Sequence, residues 1–117
     1  MALLVLIVDD DERNAKLARD VLTADGLRTL TATTAAEGLA LAHEHLPDLV
    51  LMDVHLPDLD GVEAARRLKE STRTATIPVV ALTALTAVPD GFDGHLEKPF
   101  DVVEFPERVR RYCHNYS

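Results

Sequence analysis

The chain has 117 residues, 47% hydrophobic and 27% charged, with a formal net charge of −8 and a single cysteine, Cys113. That length favours one domain with a real core. The lone thiol excludes an internal disulfide, and the acidic balance argues against direct nucleic-acid binding, which needs a basic footprint. No apolar run approaches the ~20 residues of a membrane span. The opening Met1-Ala2-Leu3-Leu4 lacks the basic region of a signal peptide, so a cytoplasmic protein with no membrane partner is expected.

The first element is the continuous apolar run of residues 3–8, the mark of a strand covered on both faces. It stops at Asp9-Asp10. After Asp11, the residues Ala15, Leu17, Ala18, Val21 and Leu22 keep one apolar helical face, which Gly26 ends. Residues 27–32 are a weaker, mixed strand. Thr34-Ala35-Ala36-Glu37 is a capping-box pattern opening a second helix that stops before Pro47. Residues 48–52 form a buried strand reaching Asp53. Asp60-Gly61-Val62-Glu63 resembles a third cap, followed by Ala64, Ala65 and Leu68. Residues 77–82 form another buried strand, stopping at Thr83. The interval from there to Lys98 is Pro/Gly-rich and holds at most one helical turn. A short strand around His95-Leu96-Glu97 precedes Lys98-Pro99. The last helix is expected over residues 102–114, and Pro106 either kinks it or lies in the first turn of a late start.

Strands alternating with helices imply right-handed crossovers and a parallel sheet with helices on both faces. The apolar strands belong inside and the mixed ones at the edges. The expected fold is therefore an α/β, flavodoxin-like, doubly wound five-stranded parallel sheet. Its order is 2-1-3-4-5, with the helix after the fourth strand truncated or absent. Such a sheet binds ligands outside the carboxyl ends of its strands. Asp9, Asp10, Asp53, Thr83 and Lys98 all stand at such ends. Clustered carboxylates repel and raise one another's pKa unless a cation neutralises them. Mg²⁺ suits oxygen ligands of this kind, and a carboxylate can accept a phosphoryl group. Positioning and charge neutralisation then supply most of the catalysis. The reading is Asp53 as acceptor, Asp9 and Asp10 on the metal side, Thr83 as donor to a phosphoryl oxygen and Lys98 as counter-ion.

These segments resemble the receiver domains of two-component response regulators. The matching pieces are Val5-Leu6-Ile7-Val8-Asp9-Asp10, Asp48-Leu49-Val50-Leu51-Met52-Asp53, Leu56-Pro57-Asp58-Leu59-Asp60-Gly61, Ala81-Leu82-Thr83-Ala84 and Glu97-Lys98-Pro99-Phe100. Each is weak alone, but all five in this order are specific, and they span nearly all of residues 1–117. The resemblance implies a phosphoacceptor switch, not a metabolic enzyme, that assists only its own phosphorylation and dephosphorylation. A sensor histidine kinase or a histidine phosphotransfer protein would phosphorylate Asp53 with Mg²⁺. The ligands would be Asp9, Asp10, Asp53 and the backbone carbonyl of His55. A downstream protein target and phosphorylation-linked homodimerisation belong to the same expectation. Asn14 is similar to the single-domain cell-cycle members. The chain ends soon after its last helical pattern, so no output domain is expected.

Three features depart from that family. The Thr83-to-Lys98 interval is short by about two turns, His95 replaces an aromatic residue that swings inward on activation, and Pro106 interrupts the last helix. Phosphorylation is expected to draw Thr83 and the following loop inward, concentrating the response in residues 84–94. Blander readings suit other residues. Asp11 and Asp60 read as caps, and His43 and His45 as surface residues. Cys113 reads as a partly packed helix residue rather than a redox centre. His55 and Leu85 should stand at the pocket rim, with His55 modulating water access. One rival is a Mg²⁺-dependent Asp-nucleophile phosphatase, but His55 stands where its second acid belongs. The other is a phosphorylation-independent interaction domain.

Overall fold

The computed structural model describes residues 2–84, 88–99 and 101–113. In chain order the elements are β1 (Leu4–Val8), α1 (Glu12–Ala24), β2 (Arg28–Ala32), α2 (Ala35–His45) and β3 (Leu49–Asp53). They continue with α3 (Gly61–Glu70), β4 (Val79–Thr83), β5 (Gly94–Glu97) and α4 (Phe105–Tyr112). The five strands form one parallel sheet in the order β2-β1-β3-β4-β5. This is the doubly wound order, with the mixed strands β2 and β5 at the edges.

The unbroken apolar runs are explained by two cores, one on each face of the sheet. Side chains alternate across a strand. Leu6, Val8, Val50, Met52, Val79 and Ala81 therefore pack with Ala35 and Ala42 of α2 and Ala64, Ala65 and Leu68 of α3. Val5, Ile7, Leu49, Leu51, Val80 and Leu82 turn the other way, onto Ala18 and Leu22 of α1 and Phe105 and Val109 of α4. Along the inner strands both alternating sets are apolar, because each face has its own helical cover.

The caps are where the sequence placed them. Asp11 accepts from the backbone N–H groups of Arg13 and Asn14, Thr34 from Glu37, and Asp60 from Val62. Gly26, with φ of +92°, carries the chain out of α1. The last helix is shorter than residues 102–114: residues 102–104 are a turn, and Pro106 lies in the first turn of a helix beginning at Phe105. Proline is tolerated there because its missing N–H would have no intrahelical partner. Cys113 follows the helix and is buried, its thiol pushed up to about 12, chiefly by burial and secondarily by Asp48. It is therefore a thiol at neutral pH, not a reactive thiolate.

Among the described residues, no helix separates β4 from β5. The loop instead sends Phe92 into the core beside the α3 layer, where it is 9% exposed. Asp93 pins this loop to β4: its N–H donates to Val79 O at 2.8 Å and its Oδ2 accepts from Val79 N–H at 2.7 Å. Lys69 of α3 adds an ion pair to the same carboxylate at 2.6 Å. One aromatic side chain and a three-part tether thus cover the sheet where a crossover helix would otherwise lie. Leu85 and His114 fall outside the described residues.

His43 is not the surface residue that its sequence position suggested. Its Nδ1 is 2.9 Å from Leu39 O and its Nε2 is 3.1 Å from Ser71 Oγ, so the half-buried ring joins α2 to the end of α3.

Candidate functional site

The carboxyl ends of β1, β3, β4 and β5 bring the five expected residues to one rim. Asp9 follows β1. Its side chain is fully buried, and Oδ1 accepts from the Asp11 N–H at 2.9 Å. Asp10 is exposed beside it. Asp53 ends β3, its Oδ1 accepting from the His55 N–H at 3.0 Å. Thr83 ends β4, and its carbonyl accepts from the Lys98 N–H at 3.0 Å, which places Lys98 just past β5. The Lys98–Pro99 peptide is cis.

Lys98 Nζ lies 3.0 Å from Asp9 Oδ2 and 3.3 Å from Asp53 Oδ2. Burial alone would lower the lysine pKa, but Asp9 and Asp53 together outweigh it and the value is raised. Asp9 is raised as well, first by burial and also by repulsion from Asp53. The Asp11 N–H and Lys98 oppose the change.

A cation fits this set. Asp9, Asp10 and Asp53 each offer an oxygen, all within 4.8 Å of one another. Asp9 Oδ2 is buried with no hydrogen-bond donor aimed at it, its contact with Lys98 being an ion pair off the hydrogen-bond direction. Three ionised carboxylates against one ammonium leave an excess of two negative charges (3 − 1). A hard divalent ion with oxygen ligands neutralises that excess. The cleft above measures about 450 Å³ and is lined by Asp10, Asp53, His55, Thr83 and Lys98, and also by Asp11 and Asn14. Asp11 is thus both a helix cap and a wall of the cleft.

The Lys98 contacts carry a consequence for stability. An acid whose pKa is raised on folding favours the protonated folded state, so it stabilises the fold as the pH falls through its folded value. Lys98, raised from 10.5, contributes stability that is complete below that pH and is lost as the pH rises through its folded value. Lys98→Met should therefore cost about 2 kcal/mol at pH 8 without divalent ions. That is less than for a fully buried pair, because Lys98 keeps some solvent. The cost should shrink toward acid pH, because the Asp9 pKa is raised and its protonation removes the charge that Lys98 pairs. Urea melts at pH 8 and at successively lower pH check this, and a loss that does not change with pH would refute it.

The response regulator receiver domain model matches residues 5–110. The chain belongs to that family. Among curated proteins, the polar-differentiation response regulator DivK of Brucella ovis is 39% identical over 115 residues, covering 92% of this chain and 94% of its own. Among solved structures, the chemotaxis response regulator CheY4 of Vibrio cholerae matches with a TM-score of 0.89 at 26% identity. That match covers 97% of this chain and 100% of its own. The receiver domain of the sensor histidine kinase PA1611 from Pseudomonas aeruginosa, solved with a magnesium ion in its active-site cleft, has a TM-score of 0.87 at 27% identity. It covers 96% of this chain and 98% of its own. The receiver identity is consistent with a phosphoacceptor signalling switch, and the acidic cluster fits the place where receivers use Mg²⁺. No helix among the described residues is long and apolar enough to cross a membrane.

One contact near the receiver site escaped sequence reasoning. Asp58, in the loop after β3, accepts from the backbone N–H groups of Ala35 at 2.8 Å and Ala36 at 3.0 Å. The N–H groups of Ala36 and then Ala35 hold its carboxyl below the usual range. Local spacing gives no sign of it, because the partners are 22 and 23 positions away.

Proposed function

We propose that Asp53 is the phosphoacceptor of a two-component relay. The observation that carries this is Asp53 Oδ2 at 3.3 Å from Lys98 Nζ, with an Asp10 oxygen beside it at the open rim and a buried Asp9 oxygen behind. In the proposed step an Asp53 oxygen attacks phosphorus, an O–P bond forms and the N–P bond to a histidine donor breaks. The electron pair leaves on the imidazole nitrogen. Asp9, Asp10, Asp53 and the His55 carbonyl would hold Mg²⁺, which would supply neutralisation of phosphoryl charge. Lys98 offsets charge on the acceptor side, and the Thr83 hydroxyl donates to a phosphoryl oxygen. His55 stands at the cleft mouth and modulates the approach of water.

The donor in this reading is a sensor histidine kinase or a histidine phosphotransfer protein. The product is a changed surface for a downstream protein or a second copy of the chain. Residues 1–117 act as one cytoplasmic receiver domain that catalyses only its own phosphorylation and hydrolysis. Incubation with acetyl phosphate and Mg²⁺ should add one phosphoryl group by intact mass, and EDTA should prevent it. A folded protein that binds Mg²⁺ yet gains no mass would instead be a phosphorylation-independent interaction domain.

A further inference from the structure

The loop between β3 and α3 carries His55, and several contacts hold it. At its start the His55 N–H donates to Asp53 Oδ1. At its end the Gly61 N–H donates to Val54 O at 2.8 Å, and His55 bridges to Asp60. Leu56 and Leu59 pack partly buried against the core. Those contacts tie the loop to β3, α3 and that core. Asp58, although exposed, makes the loop's polar tie to another helix, through two backbone N–H groups at the start of α2.

That helix is in turn fixed to the strand bearing the other two acids. Gly38 lets α2 sit directly on β1: a Cβ at this position would lie 2.7 Å from Val8 Cγ2. Val8 is the last residue of β1, immediately before Asp9 and Asp10. A continuous chain therefore runs from the loop through Asp58 and α2 to the end of β1. Beside the direct β1–β3 pairing, whose register ends at Val8 and Met52, it braces the outer part of the His55 loop against the Asp9–Asp10 side. The two sides would have to converge on one ion, so their spacing governs how well that ion is held.

We infer that Asp58 is a positioning residue for the divalent cation, holding the His55 loop at the correct distance from Asp9 and Asp10 by clamping it to α2. This rests on the metal reading given under Proposed function. Outer residues that orient metal ligands typically change affinity by about 10–100-fold. Asp58 acts through backbone rather than on a ligand directly, so Asp58→Ala should weaken Mg²⁺ binding by about tenfold, the low end of that range.

The experiment is a Mg²⁺ titration of the full chain by calorimetry, with the thermal shift at each concentration as a second readout. Asp58→Ala is compared with Thr34→Ala, which removes the other cap of α2, the bond from the Glu37 N–H to Thr34 Oγ1 at 3.1 Å. The expected result is a weaker Mg²⁺ dissociation constant for Asp58→Ala and an unchanged one for Thr34→Ala, although both lower the melting temperature. Asp58→Asn keeps one carbonyl acceptor and should fall between, and it decides the matter if the alanine variant does not fold. Equal affinity in the Asp58 variants and the unmodified protein overturns the inference. So does equal weakening by Thr34→Ala, which would mean that any loosening of α2 suffices. Failure of the unmodified protein to bind Mg²⁺ overturns the metal reading itself, and this inference with it.

Discussion

Asp53→Asn is expected to gain no phosphoryl group from acetyl phosphate at any Mg²⁺ concentration, while remaining folded. The amide oxygen is too weak a nucleophile toward phosphorus, so the loss should be complete rather than graded. Folding should survive for three reasons. Asp53 is 14% exposed in its side chain, so an amide of nearly the same shape fits. The Asn oxygen can still accept from the His55 N–H, which donates to Asp53 Oδ1 at 3.0 Å. Removing one of three clustered negative charges relieves repulsion on Asp9, offsetting the weaker contact with Lys98. The net change in stability should lie within about 1 kcal/mol. Intact mass and urea melts measure the two effects separately. A variant that takes up a phosphoryl group with the same Mg²⁺ dependence would move the acceptor elsewhere.

Gly61→Ala should be the most damaging single-methyl change near the site. A Cβ at Gly61 would lie 2.5 Å from Asp53 O, 2.8 Å from Val54 Cα and 2.8 Å from Val54 O. These are backbone atoms, so no rotamer change relieves the clash. Either α3 retreats, breaking the 2.8 Å bond from Gly61 N–H to Val54 O, or the end of β3 moves with Asp53 on it. The expected cost is about 3 kcal/mol, the top of the usual overpacking range. Displacing Asp53 should also slow phosphorylation by about tenfold to a hundredfold. Gly26→Ala is the contrasting case: nothing lies within 4 Å of its Cβ, and only the φ of +92° resists it. It should cost about 1 kcal/mol and leave phosphorylation untouched. Equal stability losses for the two variants would show that the crowding at Gly61 is relieved without consequence.

Much of this was legible in the chain because its signals are local. The apolar runs at residues 3–8, 48–52 and 77–82 are short and bounded, which marks strands buried on both faces. Asp11, Thr34 and Asp60 announce helix starts because a cap bonds only two or three residues ahead. The shortness of the Thr83-to-Lys98 interval is likewise a matter of counting. The contacts that were not legible join distant positions. His43 meets Ser71 28 residues away, and nothing in the periodicity of α2 distinguishes that histidine from the exposed His45. Phe92 sits in a Pro/Gly-rich stretch where an aromatic residue carries no periodic signal, yet it packs into the core under α2 and α3, between strands that no helix among the described residues joins.

The sequence by itself determined the order of the elements and the polar residue at the end of each inner strand. A parallel sheet then carries those residues to one rim whatever the details of packing. Only the tertiary structure decided their inequality. Asp9 is buried beneath the rim while Asp10 stays in solvent, and Lys98 is shared between Asp9 and Asp53. It also decided that Asp58 reaches the start of α2 rather than water. The reason is that type and spacing along the chain fix which groups can converge. Burial and long-range distance, which depend on how strands and helices pack, fix the strength with which each group acts.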